Sequence, residues 1–488
     1  MTTAANQPTP TSRTEPADPL AIVITRVFSA PRALVWQALT QPEHVAAWWG
    51  PRGFTATVEK LDLRPGGEWR YVMHSPDGKH FPATGVFSDV VPPERYTTSD
   101  DFDDEFRQVH GGDLPGTIVT TYALDDLGDG FTKLTITMVH ESLEDRAKHL
   151  RLGVEGGWNS SLDCLAEHVA AMAGGGVDLE RDMVVRRTVA APADAVFAAW
   201  SDPQAIVQWW GPDGFTTTTS EWDFRPGGRW RYTMHGPDGA DYPNLVEFDE
   251  IKTNRRIAYR HSGEGDHDDV KFRTVVTFEE TKFGTETTLR SRFASRAERE
   301  RVEEKYHALE GGRQTLGRLC QQVEPRPSLD NRFLITLPSD EEVRITRVLA
   351  APRELVFEAM TKAEHVRNWW GCGAFEMTVC EMDVRVGGQW RYVQREPGGR
   401  EHPFRGEYLQ IVAPERLVYT FVYDVDMIRD FPAVETIELE ERDGLTIATC
   451  TVKHLNRESR DGHLYSGMDS GARESMNRLE TLLESLGA

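Results

Sequence analysis

The sequence has few cysteines, and their spacing forms no recognisable framework. The 488 residues include five of them, at Cys164, Cys320, Cys372, Cys380 and Cys450. An odd number without any Cys-x-x-Cys pair argues against a disulfide framework and against a structural zinc site. We therefore expect no metal and a reducing, cytoplasmic location.

Basic residues and long apolar runs are also scarce. Lysine and arginine together number 55 against 78 aspartates and glutamates, which gives a net charge of −23. This balance argues against nucleic-acid binding and against an anionic membrane surface. No apolar run is long enough to insert into a membrane. Residues 1–20 are rich in Thr, Pro and Ala, lack a signal-peptide core, and are predicted to be a disordered tail.

Several common chemical motifs are missing as well. The sequence contains no Gly-x-Ser-x-Gly nucleophile motif, no phosphate-binding glycine loop and no dinucleotide fingerprint. No Ser, His and Asp occur at a recognisable catalytic spacing. We therefore predict no cofactor, and the chain is more plausible as a binding protein than as an enzyme.

What the sequence does contain is a threefold repeat. Trp48-Trp49-Gly50-Pro51 returns as Trp209-Trp210-Gly211-Pro212 and as Trp369-Trp370-Gly371-Cys372. The repeats are about 160 residues apart, which is the length of a whole domain. Pro- and Gly-rich stretches separate the copies. We predict three domains, at residues 21–172, 177–322 and 333–488.

Each copy has the same order of predicted elements. A strand and two short helices lead into the Trp-Trp pair, alternating strands with turn signals follow, and a long amphipathic helix closes the copy. Glycine interrupts the apolar stripe of that helix at Gly157, Gly311 and Gly471. Because glycine costs about 1 kcal/mol in a helix, its presence in every copy predicts a kink or a close backbone approach.

A hairpin motif also recurs in every copy. Arg64-Pro-Gly-Gly-Glu-Trp-Arg-Tyr71 is matched by the segments that begin at Arg225 and Arg385. An aspartate lies two residues before each of these arginines. The pair could hold an anionic ligand group, or it could form an ion pair that pins the hairpin, and we expect the ion pair.

These motifs together resemble the START-like (SRPBCC, helix-grip) superfamily. Within it they are similar to the bacterial branch of the heat-shock-protein ATPase activator, Aha1-type C-terminal domain. The resemblance rests on Ala-Pro-Arg before the first helix, Trp-Trp-Gly-Pro, Arg-Pro-Gly-Gly-x-Trp-Arg-Tyr and the glycine-bearing final helix. It covers nearly the whole chain outside the tail and the linkers.

The resemblance implies an α+β fold of three tandem helix-grip domains. In each, a curved antiparallel sheet wraps the long C-terminal helix and leaves an apolar cavity, with two short helices alongside. The superfamily includes lipid carriers, hormone receptors, polyketide cyclases and antibiotic-protection proteins. The fold alone therefore does not decide the function.

The period-2 pattern places aromatic side chains of the hairpin on one face, where they can line such a cavity. They can equally be ordinary core between helix and sheet, and the pattern leaves both interpretations open. The candidate ligand-binding residues are Trp49, Phe54, Trp69, Tyr71 and Met73, then Trp210, Phe215, Trp230, Tyr232 and Met234, then Trp370, Phe375, Trp390 and Tyr392. Gln394 replaces the methionine in the third copy.

Two histidines are weak candidates for catalysis. His140 and His454 occupy matching strand ends, where a general acid or base could face a cavity. The second copy is expected to place Ser295 there, which argues against a shared catalytic role. Residues 100–110 and 261–269 cluster carboxylates and histidines, and we interpret them as solvated acidic loops rather than cation sites.

We predict that the domains bind and sequester small lipophilic molecules, such as a polyketide or another secondary metabolite. The alternatives are contact with a chaperone ATPase, a cyclase or hydratase activity, and self-protection against an antibiotic. The expected partner is thus a small hydrophobic ligand or a chaperone. The sequence specifies no oligomeric state.

Overall fold

The computed structural model describes residues 18–487, except for 29, 76–77, 103–113, 129, 173–177, 179, 264–269, 330 and 426–431. These residues fall into two compact units, one within residues 1–177 and one within residues 178–488. The first unit holds one antiparallel sheet and the second holds two. The predicted α+β class with three helix-grip domains is confirmed.

The described residues of the first unit form a seven-stranded sheet and four helices. Its strands lie in the order β1-β7-β6-β5-β4-β3-β2. The strands are β1 Ala21–Phe28, β2 Thr55–Leu61, β3 Glu68–His74, β4 His80–Val91, β5 Arg95–Phe102, β6 Ile118–Gly128 and β7 Phe131–Val139. The helices are α1 Arg32–Thr40, α2 Pro42–Trp48, α3 Leu143–Arg151 and α4 Val154–Met172.

The second domain repeats this topology within the second unit. Its order is β8-β14-β13-β12-β11-β10-β9. The strands are β8 Asp182–Val189, β9 Thr216–Trp222, β10 Arg229–His235, β11 Asp241–Lys252, β12 Arg256–Gly263, β13 Lys271–Thr281 and β14 Gly284–Phe293. The helices are α5 Ala193–Ser201, α6 Pro203–Trp209, α7 Arg296–Tyr306 and α8 Ala308–Val323.

The third domain has one additional edge strand. Its order is β15-β16-β22-β21-β20-β19-β18-β17. The strands are β15 Phe333–Ser339, β16 Glu342–Leu349, β17 Glu376–Met382, β18 Gln389–Arg395, β19 Glu401–Val412, β20 Arg416–Tyr423, β21 Ala433–Arg442 and β22 Leu445–Lys453. The helices are α9 Arg353–Thr361, α10 Ala363–Trp369, α11 Arg457–His463 and α12 Asp469–Gly487, with a π-helical turn at Leu464–Met468 between the last two.

The first tryptophan of each Trp-Trp pair anchors the two short helices to one another. Trp48, Trp209 and Trp369 are 2%, 0% and 6% exposed. Each donates its indole N–H to a carbonyl ten residues earlier, at Ala38, Ala199 and Ala359. A buried indole with its one polar group satisfied is a stable core element. The first tryptophan of each pair therefore holds the two short helices together, and the second tryptophan faces the sheet.

The closing helix of each domain is broken, but not at the glycines that the sequence singles out. Gly157 and Gly471 lie inside continuous helix, and a Cβ added to either would meet no described atom within 4 Å. The break lies four residues earlier. There Gly153, His307 and Gly467 adopt φ values of +77°, +49° and +94°.

His307 is the only non-glycine of these three break residues. A left-handed backbone costs an L-residue about 1–2 kcal/mol, and the greater unfolded-state freedom of glycine offsets part of that cost. We expect His307→Gly to stabilise the second domain by about 0.5 kcal/mol. Gly153→Ala, the matched change in the first domain, should destabilise it by about 1 kcal/mol.

Urea unfolding of the full chain can test both changes, with alkylation of Cys320 reporting the second domain and that of Cys164 the first. Both thiols are free, and Cys320 is buried. A loss of stability in His307→Gly would contradict the strain assigned to this residue.

Within the second unit, the β13–β14 turn of the second domain packs on the helical break of the third. Phe283 stacks edge-on against Tyr465 with ring centroids 5.6 Å apart, and Lys282 pairs with Asp469 at 3.1 Å. Glu286 accepts a hydrogen bond from Arg457 at 2.6 Å. These contacts fix the position of α11 and of the π-helical turn above the third sheet.

Candidate ligand-binding site

In the first domain the candidate aromatic residues pack on one another. Trp69 and Tyr71 of β3 are 5% and 6% exposed, and their ring centroids are 4.7 Å apart. Trp49, from the loop after α2, lies 5.1 Å from Tyr71. Trp158 of α4 closes this group at 5.4 Å from Trp49. Helix and sheet thus meet through an aromatic layer, with a helix tryptophan filling its centre.

The second domain builds a denser version of the same layer. Trp230 and Tyr232 stack at 4.1 Å, and Trp210 lies 5.3 Å from Trp230. Gly312 occupies the helix position of Trp158, since Ser161 and Thr315 make equivalent bonds to Gly157 and Gly311. Trp200 of α5 and Trp222 of β9 pack against the layer instead.

The third domain contains a small cavity at this position. Its volume is about 30 Å³, room for about two water molecules. Helix residues including Met360, Val366 and Trp369 form one wall. The aromatic side chains of the loop and the sheet that line it are Trp370, Trp390, Tyr392, Tyr408, Tyr419 and Phe421. Three of the four candidates of the third copy, Trp370, Trp390 and Tyr392, therefore line the cavity.

The remaining candidates lie beside the layer and support the loop that follows the Trp-Trp pair. Each of the three phenylalanines packs on a ring at the start of the strand that follows the hairpin, in β4, β11 or β19. The pairs are Phe54 with Phe81, Phe215 with Tyr242 and Phe375 with His402. Met73 and Met234 pack under the loop glycines at 3.5 Å from the position of a Cβ. Gln394 accepts from the Cys372 N–H and donates to the Trp370 carbonyl, so it fixes the same loop by hydrogen bonds.

The indole in the hairpin lies against a glycine in two of the three domains. Trp69 pairs across strands with Gly85, and Trp390 pairs with Gly406. A Cβ on either glycine would come within 2.5 Å of the indole Nε1. In the second domain Val246 occupies this position opposite Trp230. In the first and third domains the indole Nε1 therefore lies closer to the neighbouring strand than a side chain there would allow.

Each domain also carries a carboxyl or imidazole side chain on an inner strand of its sheet. Asp100 lies within β5 of the first domain, and its carboxyl accepts a hydrogen bond from Thr120 at 2.5 Å. In the third domain Glu435 of β21 accepts from the Tyr419 hydroxyl at 2.6 Å. His261 of β12 bonds to Asn244 and stacks on Phe272 in the second.

Burial dominates the protonation of these three groups. It raises the pKa of Asp100 and of Glu435 to about 7, against the opposing effect of the threonine and tyrosine hydroxyls. It lowers the pKa of His261 to about 4. The interpretation of Asp100 and His261 as parts of solvated loops is therefore wrong, because both belong to strands. Residues 103–110 and 264–269 of those segments lie outside the described residues.

The two candidate catalytic histidines belong to buried histidine pairs. The Nδ1 of His140 lies 3.0 Å from the Leu20 carbonyl, and its Nε2 lies 2.9 Å from the Nδ1 of His149. His454 and His463 repeat this arrangement with the Glu341 carbonyl. Since a carbonyl only accepts, the Nδ1 of His140 donates and its Nε2 accepts from His149.

Burial, together with the neighbouring ring, lowers the pKa of His149 to about 3 and that of His463 to about 4. The second domain replaces the pair by Phe293 and Val302, which pack on one another. The assignment of Ser295 to the His140 position is wrong, because Phe293 makes the equivalent backbone bond to Arg181. Ser295 instead caps α7, as Ser142 caps α3.

The hairpin arginines do not contribute to the layer. Arg64 pairs with Asp62 at 2.8 Å, and Arg225 pairs with Asp223 at 2.9 Å. Arg385 and Asp383 are likewise 2.9 Å apart. The arginine side chains are about two thirds exposed in all three pairs. The predicted ion pairs are confirmed, and their exposure makes them a weak stabilising feature.

Neither a metal centre nor a membrane span is found in the described part of the chain. No cluster of three His, Cys, Asp or Glu side chains there could hold an ion. All five cysteines are free thiols. No helix in the same residues combines the length and the apolar character needed to cross a bilayer.

Sequence reasoning missed several residues of this site. Tyr419 and Glu435 carry no motif, and only the strand register places them beside Trp390. His149 and His463 could have been found, because each lies nine residues after a histidine in the first and third copies alone.

A curved antiparallel sheet, a helix lying across it and an aromatic layer between them define a helix-grip domain, here present three times. The family model described as "Activator of Hsp90 ATPase homolog 1-like protein" matches residues 29–170, 190–324 and 350–484. The chain belongs to this family.

Solved structures of bacterial proteins are similar to single domains of this chain. A Rhodobacter sphaeroides protein is 24% identical, covers 32% of this chain and 99% of its own length, and gives a TM-score of 0.30. Protein Ms6760 from Mycobacterium smegmatis is 32% identical, covers 30% of this chain and 88% of its own length, and gives a TM-score of 0.27. The AHSA1 protein from Silicibacter pomeroyi is 23% identical, covers 31% of this chain and 99% of its own length, and gives a TM-score of 0.26. Comparison with curated proteins found no match.

Proposed function

We propose that this protein binds small lipophilic molecules between the sheet and the two short helices of its helix-grip domains. The observation that carries this proposal is the small cavity of the third domain, whose lining is mostly aromatic and otherwise aliphatic. Such walls, with a few polar groups among them, are typical of small-molecule sites. A ligand larger than about two water molecules must move these rings apart as it enters.

Native mass spectrometry of the purified full chain, followed by solvent extraction, tests this proposal. We expect an adduct that is lost on denaturation and that appears in the extract as a lipophilic compound. Met360→Phe enlarges a side chain in the cavity wall and should reduce the adduct, while Cys450 stays protected from alkylation as a check on folding. An adduct of undiminished intensity in the folded variant would place the ligand elsewhere.

Contact with a chaperone ATPase is the second candidate, and it rests on the description of the family. It can be tested by the steady-state ATPase rate of an Hsp90-class chaperone with and without the full chain. Lipophilic binding alone predicts an unchanged rate. A saturable acceleration would favour the chaperone function instead.

A further inference from the structure

One polar group in the wall of the third domain's cavity has no hydrogen-bond partner among the described residues. Trp390 is 3% exposed, and its Nε1 makes no hydrogen bond within the described residues. The equivalent indoles are satisfied inside their own domains. Trp69 donates to the Thr98 hydroxyl at 2.6 Å, and Trp230 donates to the Thr219 hydroxyl at 3.0 Å.

The register of the sheet explains why Trp390 differs. Thr98 of β5 pairs with Thr120, and the same cross-strand position in the third domain holds Tyr419 paired with Glu435. The Tyr419 hydroxyl donates its proton to Glu435. The threonine that accepts from the indole in the first domain is therefore replaced by Tyr419, which is bulkier and already donates its hydroxyl proton to Glu435.

An unpaired buried donor is costly, and native proteins rarely leave one without a reason. Trp390 lines a cavity, so a guest molecule there would lie beside this side chain. Trp200 of the second domain also has an unpaired Nε1. It packs edge-on between Trp209 and Trp210 and is therefore occupied by aromatic contacts.

The charges around the cavity restrict the acceptor. None of the described residues that line it is a lysine or an arginine. The carboxyl of Glu435 is bonded to the hydroxyl of the lining residue Tyr419. An anionic ligand would therefore find no counter-charge there and would face a carboxyl group.

We propose that the third domain is the ligand-binding domain of this chain, and that its ligand carries an uncharged oxygen, such as a ketone or ester carbonyl, that accepts from the Nε1–H of Trp390. The hydrocarbon part of the ligand lies against Trp370 and Tyr392. This inference rests on the proposed function and adds to it the domain and the chemical class.

Acetophenone and α-methylstyrene test this inference, since they have the same shape but differ by an oxygen in place of a methylene group. The full chain labelled with ¹⁵N-tryptophan gives one indole signal per tryptophan, and Trp390→Phe identifies the signal of Trp390 by its loss. The affinity of each probe is read from the Trp370 signal, which is present in the wild-type chain and in Trp390→Phe.

We expect the wild-type chain to bind acetophenone about fivefold more tightly than α-methylstyrene. The Trp390 signal should shift with acetophenone, and Trp390→Phe should bind both probes equally. Trp200→Phe removes an unpaired indole N–H outside the cavity and should leave the ratio unchanged. A ratio that survives in Trp390→Phe overturns the inference.

The remaining outcomes separate this inference from the proposed function. If both probes bind the third domain equally in the wild-type chain, lipophilic binding stands and the oxygen acceptor is wrong. If the shifts saturate at Trp69 or Trp230 instead, the choice of domain is wrong. If neither probe gives a saturable shift at any tryptophan, the result contradicts both.

Discussion

Gly85→Val is expected to destabilise the first domain by about 3 kcal/mol or more. A Cβ at this position would lie 2.2 Å from the Ser99 carbonyl oxygen and 2.5 Å from the Nε1 of Trp69. The first contact is with backbone, which cannot rotate away. Relief therefore requires a shift of β5 as well as a movement of Trp69 that strains its bond to Thr98.

Alkylation of cysteines during urea unfolding of the full chain can assign the damage to a domain. Cys164 lies in the first domain and Cys320 in the second, and both are free. In Gly85→Val, Cys164 should become reactive at a much lower urea concentration, while Cys320 keeps its wild-type midpoint.

The second domain supplies the reciprocal control. Val246 already occupies the position of Gly85 and is 1% exposed. Val246→Gly should destabilise the second domain by about 1–2 kcal/mol through lost packing, without any steric clash. A valine at position 85 that leaves the midpoint of Cys164 unchanged would show that the indole does not need the glycine.

The fold of this chain was predictable because its signals are local and occur three times. The Trp-Trp-Gly segment, the Pro-Gly-Gly hairpin and the apolar stripe of the final helix each specify one element by periodicity or turn chemistry. The glycines of the final helix were less informative. His307 shows why, since a left-handed backbone at the break does not always select glycine.

The site was less predictable because it depends on register between strands distant in sequence. Tyr419 and Glu435 meet only because β20 and β21 pair in one register, and nothing in either segment marks them. The alternation in the hairpin predicted that Trp390 and Tyr392 face inward. It could not show that the indole N–H of one domain lacks the hydroxyl that the other two provide.

The two histidine pairs are expected to make the first and third domains sensitive to acid. We expect the double variant His140→Phe with His149→Val to lose less stability than the wild-type first domain between about pH 7.5 and about pH 5. The second domain shows that this replacement suits the fold, because Phe293 and Val302 occupy the same positions there.

The sign follows from the lowered pKa of His149, about 3 in the folded state against 6.5 in the unfolded chain. Between these values the unfolded chain takes up a proton that the folded domain does not, so stability falls as the pH falls below about 6.5. At about pH 5 the loss from this residue is about 2 kcal/mol. Asp100, whose pKa is raised to about 7, acts in the opposite direction. It is present in both proteins, so its effect cancels in their difference.

Urea midpoints at the two pH values, read from the reactivity of Cys164 with 4,4′-dithiodipyridine, measure this difference. Cys320 serves as the internal reference, because the second domain is unchanged in the variant. The reciprocal double variant, Phe293→His with Val302→His, should make Cys320 the more acid-sensitive reporter. Equal pH dependence of the Cys164 midpoint in the wild type and in the Phe/Val variant would mean that the buried pair already takes up its proton in the folded state. The cause of the acid sensitivity would then have to lie outside the His140–His149 pair.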